Sequence, residues 1–208
     1  MKRLLIIITV VSLVLVSLTF AVGAETIGSR LVFYVRVARL YTETADAKIS
    51  MPLKDVSKKQ IANTWHALRG SDRLHEGQDI FAPRGTPVYS ATRGYVYKVG
   101  EDNLGGHTVS VIGAGGRIYY YAHLDSYAPN IAVGDAVTTR SLLGYVGSTG
   151  NANGTPSHLH FGVYASDGAI NPLPLLTDRP KDPQITQTKT GKQKTLKLMR
   201  QHGSGSRN

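Results

Sequence analysis

The sequence predicts a mainly β protein built on an antiparallel sheet. From Pro52 to Leu176 the chain consists of short runs of Val, Ile, Tyr and Thr separated by glycines, a texture typical of strands joined by tight turns. No long amphipathic helical pattern interrupts these runs, so neighbouring strands are expected to pair without crossover helices and therefore antiparallel. With 208 residues, 41% of them hydrophobic, the chain is long enough for one well-buried domain.

The individual strands follow in chain order from β-branched and aromatic runs bounded by glycine. The expected strands are "PVYSAT", "GYVYKVG", "HTVSVIG", "RIYYYAHL", "LLGYVG" and "HLHFGVY". The earlier run "LVFYVRVARLY", from Leu31 to Tyr41, is also apolar, but its mixed period leaves strand and helix open. We therefore place the domain at residues 52–176, after an N-terminal segment and connector at residues 25–51.

Two segments of this domain resemble each other: "GTPVYSATRGYV" from Gly85 and "GDAVTTRSLLGYV" from Gly134. Both have Val three residues after the first Gly and end in Gly-Tyr-Val, with one additional residue in the second copy. Paired half-motifs of this kind indicate a sheet built around an internal duplication.

The N-terminus differs in texture from the domain. Residues 1–24 combine a basic start with an apolar run from about Leu4 to Ala21 and then small residues, the layout of a signal peptide or of a membrane anchor. Cleavage after Ala24 and retention in the membrane both fit this pattern. Either outcome places the rest of the chain outside the cytoplasm, and we expect a periplasmic protein, secreted or anchored by this segment.

The C-terminus is basic. The whole chain has a net charge of +10, and from Asp178 onward eight Lys or Arg stand against two Asp, a net of +6. This part is poor in large apolar residues, so residues 177–208 are expected to form a disordered tail. Its charge predicts attraction to anionic wall or membrane surfaces.

Two short motifs predict a metal site. The chain has no cysteine, so a metal must be held by His, Asp or Glu. In "SHLHF", His158 and His160 project from one face of a strand because side chains alternate along it. In "HEGQDIF", His75 and Asp79 are four residues apart, and Gly77 favours a loop running into a strand over a helix. Two imidazoles and one carboxylate are a common ligand set for catalytic zinc, which predicts a site with His75, Asp79 and one member of the later pair.

Other polar positions are more ambiguous. In "YYYAHLD", His123 ends an aromatic strand, where a histidine is more often a core residue than a catalytic one. Arg73 is a candidate for contacting a substrate carboxylate, with a solvated surface role as the alternative. The tyrosines 119–121 alternate in direction, so at most some of them line a groove. The histidines without comparable context are His66, His107 and His202.

Taken in order, "HEGQDIFAPRGTPV", "YYYAHL" and "GYVGSTGNANGTPSHLHFGVY" resemble the lysostaphin-type or LytM-type zinc endopeptidases, which cut peptidoglycan peptides. The resemblance covers roughly residues 65–175. It implies an antiparallel β fold with a duplicated hybrid motif and one bound zinc ion. It also implies that the zinc ligands are His75, Asp79 and His160, and that His123 and His158 are catalytic histidines beside the metal.

The expected function is accordingly that of an exported zinc metallo-endopeptidase acting on cross-links or stem peptides of peptidoglycan. The alternative is a LytM-type regulator that binds the cell wall and activates another hydrolase without cutting; such relatives usually lack several ligands, whereas all five positions are filled here. A nucleic-acid binder is disfavoured by the export segment and by the absence of a clustered basic motif in the expected domain. The sequence also lacks the Gly-Lys-Ser/Thr ending of a phosphate loop.

Overall fold

The architecture follows from a computed structural model that describes residues 28, 30–70 and 72–179. All six predicted strands are present among its thirteen strands. In chain order these are β1 (Ile49–Ser50), β2 (Leu68–Arg69), β3 (Arg73–Leu74), β4 (Gln78–Phe81), β5 (Pro87–Tyr89), β6 (Gly94–Asp102), β7 (Gly106–Ile112), β8 (Ile118–Tyr127), β9 (Ala136–Val137), β10 (Leu142–Val146), β11 (His158–Ala165), β12 (Gly168–Ile170) and β13 (Leu176–Thr177). Short 3₁₀ turns lie at Lys58–Gln60, Ala114–Gly116 and Gly150–Ala152.

The centre of the molecule is a nine-stranded sheet in the order β12-β11-β8-β7-β6-β9, with β4 beside β11 and β5 joined through β10 to β8. Every pairing within this sheet is antiparallel, so the predicted fold class is confirmed. The long strands β8 and β11 lie side by side at its centre, with β7 on the other side of β8 and β4 on the other side of β11. β8 contains His123, and β11 contains His158 and His160.

The two similar segments exchange strands with each other. β5 of the first copy pairs with β10 of the second, and β9 of the second pairs with β6 of the first. The hydrogen bonds match as well: Gly85 donates to Val146, which donates back to the residue after Gly85, and Gly134 donates to Val96, which donates back to the residue after Gly134. Both glycines have positive φ, 82° and 99°, a backbone that glycine adopts without steric cost. The internal duplication is therefore a pair of interlocked copies.

The core lies on one face of the central strands. Tyr119 and Tyr121 of β8 and Leu159, Phe161 and Val163 of β11 are fully buried, and they alternate with residues on the opposite face as a half-buried strand requires. Tyr121 and Phe161 pack at 5.2 Å between ring centroids. Truncating an aromatic side chain at such a position typically costs about 3–5 kcal/mol, so these strands hold their register firmly.

The segment that the sequence left open between strand and helix is a helix, α1, over residues 30–41. Its contact with the domain has helical spacing: Phe33 packs edge to face on Tyr95 with centroids 6.4 Å apart, and Leu40, seven residues later, is buried. None of the helices within the described residues could span a lipid bilayer. The predicted export segment at residues 1–24 lies outside the described residues.

The ordered chain extends on both sides of residues 52–176. β1 pairs with β13 in parallel, Ile49 with Leu176 and Ser50 with Thr177. Arg179 then donates to the carbonyl groups of Met51, Thr139 and Ser90. The first residues of the segment that we expected to be disordered therefore pack on the domain, because their backbone completes a strand pair. The disorder expected from residue 180 onward stays a prediction, since residues 180–208 lie outside the described part.

Candidate active site

Strand pairing brings Asp79 and His160 together. In the register of β4 and β11, Asp79 is directly opposite His160, and residues opposite each other share one face of the sheet. Oδ1 of Asp79 lies 3.2 Å from Nδ1 of His160. Two residues earlier on β11, His158 projects from the same face, with its Nε2 3.8 Å from the same carboxylate oxygen. Leu159 and Phe161 point into the core, so the predicted alternation along "SHLHF" holds.

His75 reaches these residues from the turn between β3 and β4, the loop-to-strand junction that the sequence predicted. Its Nδ1 is 2.7 Å from the main-chain oxygen of Thr64; because a carbonyl oxygen only accepts, Nδ1 carries the proton. Nε2 keeps its lone pair and lies 2.8 Å from Nδ1 of His160 and 3.2 Å from Oδ1 of Asp79. The main chain thus fixes the tautomer that a metal ligand needs.

The three converging atoms fit a zinc ion. Nε2 of His75, Oδ1 of Asp79 and Nδ1 of His160 are separated by 2.8, 3.2 and 3.2 Å. Ligand atoms at about 2.0–2.1 Å from a tetrahedral zinc ion are roughly 3.3 Å apart, so shifts of roughly half an ångström or less allow all three to share one ion. Two imidazoles with one carboxylate also leave a fourth position for water. Within the described ranges, no other set of three His, Asp or Glu side chains converges in this way.

A β-bulge turns His123 into the site. Tyr121 is buried in the core, so strict alternation along β8 would direct His123 into the core as well. Between Tyr121 and Leu124, however, the register with β7 shifts and two residues of β8 oppose one residue of β7. His123 takes a left-handed backbone there, with φ 61°. A bulge re-aims a side chain, and the ring of His123 lines the groove with its centroid 5.0 Å from that of His158.

The loop between β10 and β11 orients both rings through main-chain oxygens. Nδ1 of His123 is 2.9 Å from the carbonyl of Thr149, and Nδ1 of His158 is 2.8 Å from the carbonyl of Pro156. Both Nδ1 atoms therefore donate, and both Nε2 atoms are free to accept a proton. The side chain of Thr149 bonds to the carbonyl of Leu124, which ties the loop to β8. Sequence reasoning did not find these supports, because a main-chain acceptor has no residue-type signal.

The electrostatics keep the carboxylate of Asp79 charged and favour the neutral form of His123 and His160. Burial raises the pKa of Asp79, but its contacts with the imidazoles of His160 and His75 and with the Arg69 guanidinium outweigh burial and hold that pKa well below its usual range. Burial, with the nearby His160 and His158, lowers the pKa of His123 to about 4. Burial also lowers the pKa of His160. Neutral imidazoles are the form that binds a metal or accepts a proton.

Arg69 is a site residue that the sequence analysis missed. It lies on β2, and its guanidinium donates to Oδ2 of Asp79, the oxygen that does not face His75 and His160. Each carboxylate oxygen therefore has its own set of partners, which fixes the orientation of Asp79. The sequence offered one indirect signal: Gly70 between Arg69 and Arg73 is compatible with a hairpin turn. In the structure Gly70 has a positive φ of 73°, as such a turn requires.

These side chains lie in a groove with a volume of about 880 Å³. The hairpin β2–β3 contributes Arg69 and Arg73 to its lining, and much of the remaining lining is aromatic or apolar. Of the three neighbouring tyrosines, only Tyr120 lines the groove, and its hydroxyl donates to Asp102 at 3.0 Å. The aromatic and apolar residues along the groove include Phe81, Tyr97, Leu104, Tyr120 and Tyr164.

The five predicted site residues are therefore all brought together, and the histidines that we set aside are placed elsewhere or not described. His66 stacks on Trp65 with centroids 4.4 Å apart. His107 lies 2.5 Å from the carboxylate of Glu101 and is not part of the groove lining. His202 lies outside the described residues.

Comparison with known proteins identifies relatives of this site. Residues 73–172 match the profile of Peptidase family M23. The chain is 31% identical over 154 residues to the L-Ala–D-Glu endopeptidase of Bacillus subtilis (strain 168), covering 69% of this chain and 47% of that protein. It is 35% identical over 109 residues to lysostaphin of Staphylococcus staphylolyticus, covering 50% of this chain and 22% of that protein. The chain thus spans less than half the length of these curated relatives.

A solved structure supports the same fold. The structure of a glycyl-glycine endopeptidase LytM candidate from Ruminococcus gnavus ATCC 29149 superposes with a TM-score of 0.51 at 31% identity, over 69% of this chain and 66% of that chain.

Proposed function

Because this chain belongs to Peptidase family M23, the lysostaphin-type and LytM-type family, we propose that it is an exported zinc metallo-endopeptidase. Its substrates are the peptide cross-links or stem peptides of bacterial peptidoglycan. One observation carries the proposal: Nε2 of His75, Oδ1 of Asp79 and Nδ1 of His160 converge within 3.2 Å of one another beside two further histidines.

His75, Asp79 and His160 would hold the zinc ion. When bound there, zinc supplies a Lewis acid for the scissile carbonyl and a water of lowered pKa. Arg69 keeps the second oxygen of Asp79 engaged, so that Oδ1 stays directed at the ligand cluster. The main-chain bond from His75 to Thr64 does the same for one imidazole.

His123 and His158 move protons and stabilise charge. Each donates its Nδ1 proton to a main-chain carbonyl, which leaves Nε2 free to take a proton from the attacking water. Once protonated, an Nε2–H can donate to the oxyanion of the tetrahedral intermediate or to the leaving amine. The two rings are 5.0 Å apart, so one can act on the water while the other faces the oxyanion; their roles are interchangeable on this geometry.

The relatives support peptidoglycan as the substrate class. The Bacillus subtilis relative is an L-Ala–D-Glu endopeptidase, and the volume of the groove here, about 880 Å³, lies within the range of sites that bind ligands. An enzyme with this substrate works outside the cytoplasm, in agreement with the export layout of residues 1–24. The regulator alternative has less support, since none of the five site positions is replaced.

We further propose that the basic C-terminal segment holds the enzyme near anionic wall or membrane surfaces. Since Thr177 and Arg179 are packed on the domain, the test deletes residues 181–208 and not the ordered residues before them. The deletion should weaken binding to isolated walls at low salt, and added salt should abolish the difference. Equal binding of both proteins at low salt would contradict this role.

The central test is digestion of purified cross-linked peptidoglycan with residues 25–208, with and without a chelator, followed by mass analysis of the products. We expect new free amino groups from cleaved peptide bonds, loss of cleavage with the chelator and recovery with added zinc. An Asp79→Ala variant is the matched control, since it should neither retain zinc nor cut. Products in which every peptide bond is intact would overturn the proposal.

A further inference from the structure

Two arginines face each other across the hairpin beside the ligand cluster. Arg69 on β2 and Arg73 on β3 are direct cross-strand partners, and both line the groove. Like charges directly opposite each other on a strand pair destabilise it. Because these two strands have only two residues each, the hairpin has little other pairing to offset this repulsion. An arrangement of this kind calls for an anion between the guanidinium groups.

The carboxylates of the protein itself pair with only part of the two guanidinium groups. Arg69 pairs with Oδ2 of Asp79, but its Nε is buried and has no hydrogen-bond partner. Arg73 is exposed, and within the described residues none of the ion pairs involves it. Of the carboxylates along the groove, only Asp79 forms an ion pair with either arginine among the described residues, although each guanidinium has five donors.

The other acidic side chains along the groove do not supply the missing anion. Asp102 accepts hydrogen bonds from the amides of Leu104 and Gly105 and from the hydroxyl of Tyr120, so both of its oxygens already have partners. Glu76 is exposed and forms no ion pair among the described residues. The Nε–H of Arg69 and the guanidinium of Arg73 therefore keep donors on the groove wall that none of the described ion pairs occupies.

We propose that Arg69 and Arg73 form a subsite that binds a carboxylate of the substrate peptide next to the scissile bond. The inference rests on the proposed peptidase function and adds a substrate preference to it. Arg73 makes the charged, two-pronged contact for which a guanidinium is shaped. Arg69 connects this carboxylate to Asp79, so that substrate binding and the ligand cluster share one residue. Peptides that carry a free carboxylate at this position are preferred over neutral ones such as oligoglycine.

The test uses matched synthetic stem peptides and the full chain, kept in solution with a mild detergent because of its apolar N-terminal run. In one peptide the C-terminal carboxylate is replaced by a carboxamide, in another the side-chain carboxylate nearest the cut bond is replaced, and the parent peptide keeps both. We expect one of the two amides to lower kcat/KM by about 10- to 100-fold, the usual effect of losing hydrogen bonds to a charged group. The amide that has the effect identifies the source of the carboxylate.

Variants then assign the effect to the hairpin. Arg73→Gln should lower kcat/KM for the parent peptide, mainly by raising KM, with zinc content unchanged. The acid-to-amide ratio, which is kcat/KM for the parent peptide divided by kcat/KM for the discriminating amide, should fall to about two or less. Arg73→Lys should restore part of the ratio, because an ammonium keeps the charge without the two-pronged geometry. Arg69→Lys should reduce the ratio and also weaken zinc retention in a chelator competition. Arg140→Gln removes the same charge from an exposed position outside the groove lining and should leave the ratio intact.

The outcomes separate the two proposals. If the unmodified chain cuts acid and amide peptides equally well, or if Arg73→Gln keeps the full ratio, the carboxylate subsite is wrong and the peptidase function stands. If the chain cuts none of the peptides and no cross-linked peptidoglycan while holding zinc, the peptidase function itself fails.

Discussion

The rings of His123 and His158 meet edge to face, with centroids 5.0 Å apart, although they arrive from different strands by different backbone routes. His158 follows the regular alternation of β11, whereas His123 depends on a bulge with φ 61°. Each ring is anchored by its Nδ1 to a carbonyl of the same loop. Both rings line the groove, and their Nε2 atoms are free to accept a proton there.

Removing either ring should cost rate and spare zinc. For His158→Ala and His123→Asn we expect kcat to fall by about 10²- to 10⁴-fold, the usual contribution of a positioned acid or base, while zinc content stays near one ion per chain. Asparagine is chosen at position 123 because it tolerates left-handed backbone. Cleavage assays paired with metal analysis test this, and loss of zinc in both variants would assign the two histidines to the ligand set instead.

Removing a ligand should have the opposite signature. His160→Ala leaves only His75 and Asp79 at the cluster, so zinc affinity should drop by at least about 100-fold and cleavage should follow it. Competition with a chromogenic chelator measures the affinity directly. A His160→Ala protein that binds zinc as tightly as the parent would show that His158 completes the set.

Gly77 should be essential to the position of His160. A Cβ on Gly77 would lie 2.5 Å from Cε1 and 2.7 Å from Nε2 of His160, so Gly77→Ala must displace the imidazole, and we expect weaker zinc binding. Gly85→Ala is the control: its added Cβ meets nothing within 4 Å and only strains a positive φ of 82°, which costs about 1–2 kcal/mol of stability. Unfolding and zinc titration together should show metal loss in Gly77→Ala alone.

The metal-free protein should lose stability as the pH falls from about 6.5 to about 4. Burial lowers the pKa of His123 to about 4 in the folded state from the ordinary 6.5, so the unfolded chain binds more protons in this window and is favoured there. The stability that the neutral His123 allows is complete above pH 6.5, and it is lost progressively as the pH falls towards 4. Relative to His123→Asn, the parent should lose about 2 kcal/mol of unfolding free energy between pH 7 and 4.5. Parallel pH curves for both proteins would contradict this.

The C-terminal end of the ordered domain should lie after Arg179. Arg179 caps three main-chain carbonyls and stacks over Tyr89 at 4.9 Å, and Asp178 accepts from the backbone of Lys58 at 2.5 Å. A chain that ends at residue 176 should therefore be less stable than one that ends at 180 by about 2–4 kcal/mol, because buried carbonyls lose their donor. Denaturant unfolding of the two truncations tests this, and equal midpoints would place the boundary earlier.

Much of the fold could be predicted from local pattern. The six strand segments, the duplicated glycine motif and the loop after His75 all follow from periodicity and turn residues, and the structure has each of them. The segment at residues 30–41 could not be assigned, since its apolar residues fit both periods; in the structure it is a helix, in which Phe33 packs on Tyr95 and Leu40 is buried.

The sequence by itself determined that His158 and His160 share one face, because alternation along a strand is a property of the backbone, and that a metal here must use His and carboxylate ligands, because there is no cysteine. Only the tertiary structure decided what lies across from them. The β4–β11 register sets Asp79 opposite His160, the bulge in β8 turns His123 out of the core, and the hairpin sets Arg69 on the second oxygen of Asp79. Register, bulges and ion pairs depend on strands distant in the chain, and no local pattern of residues specifies them.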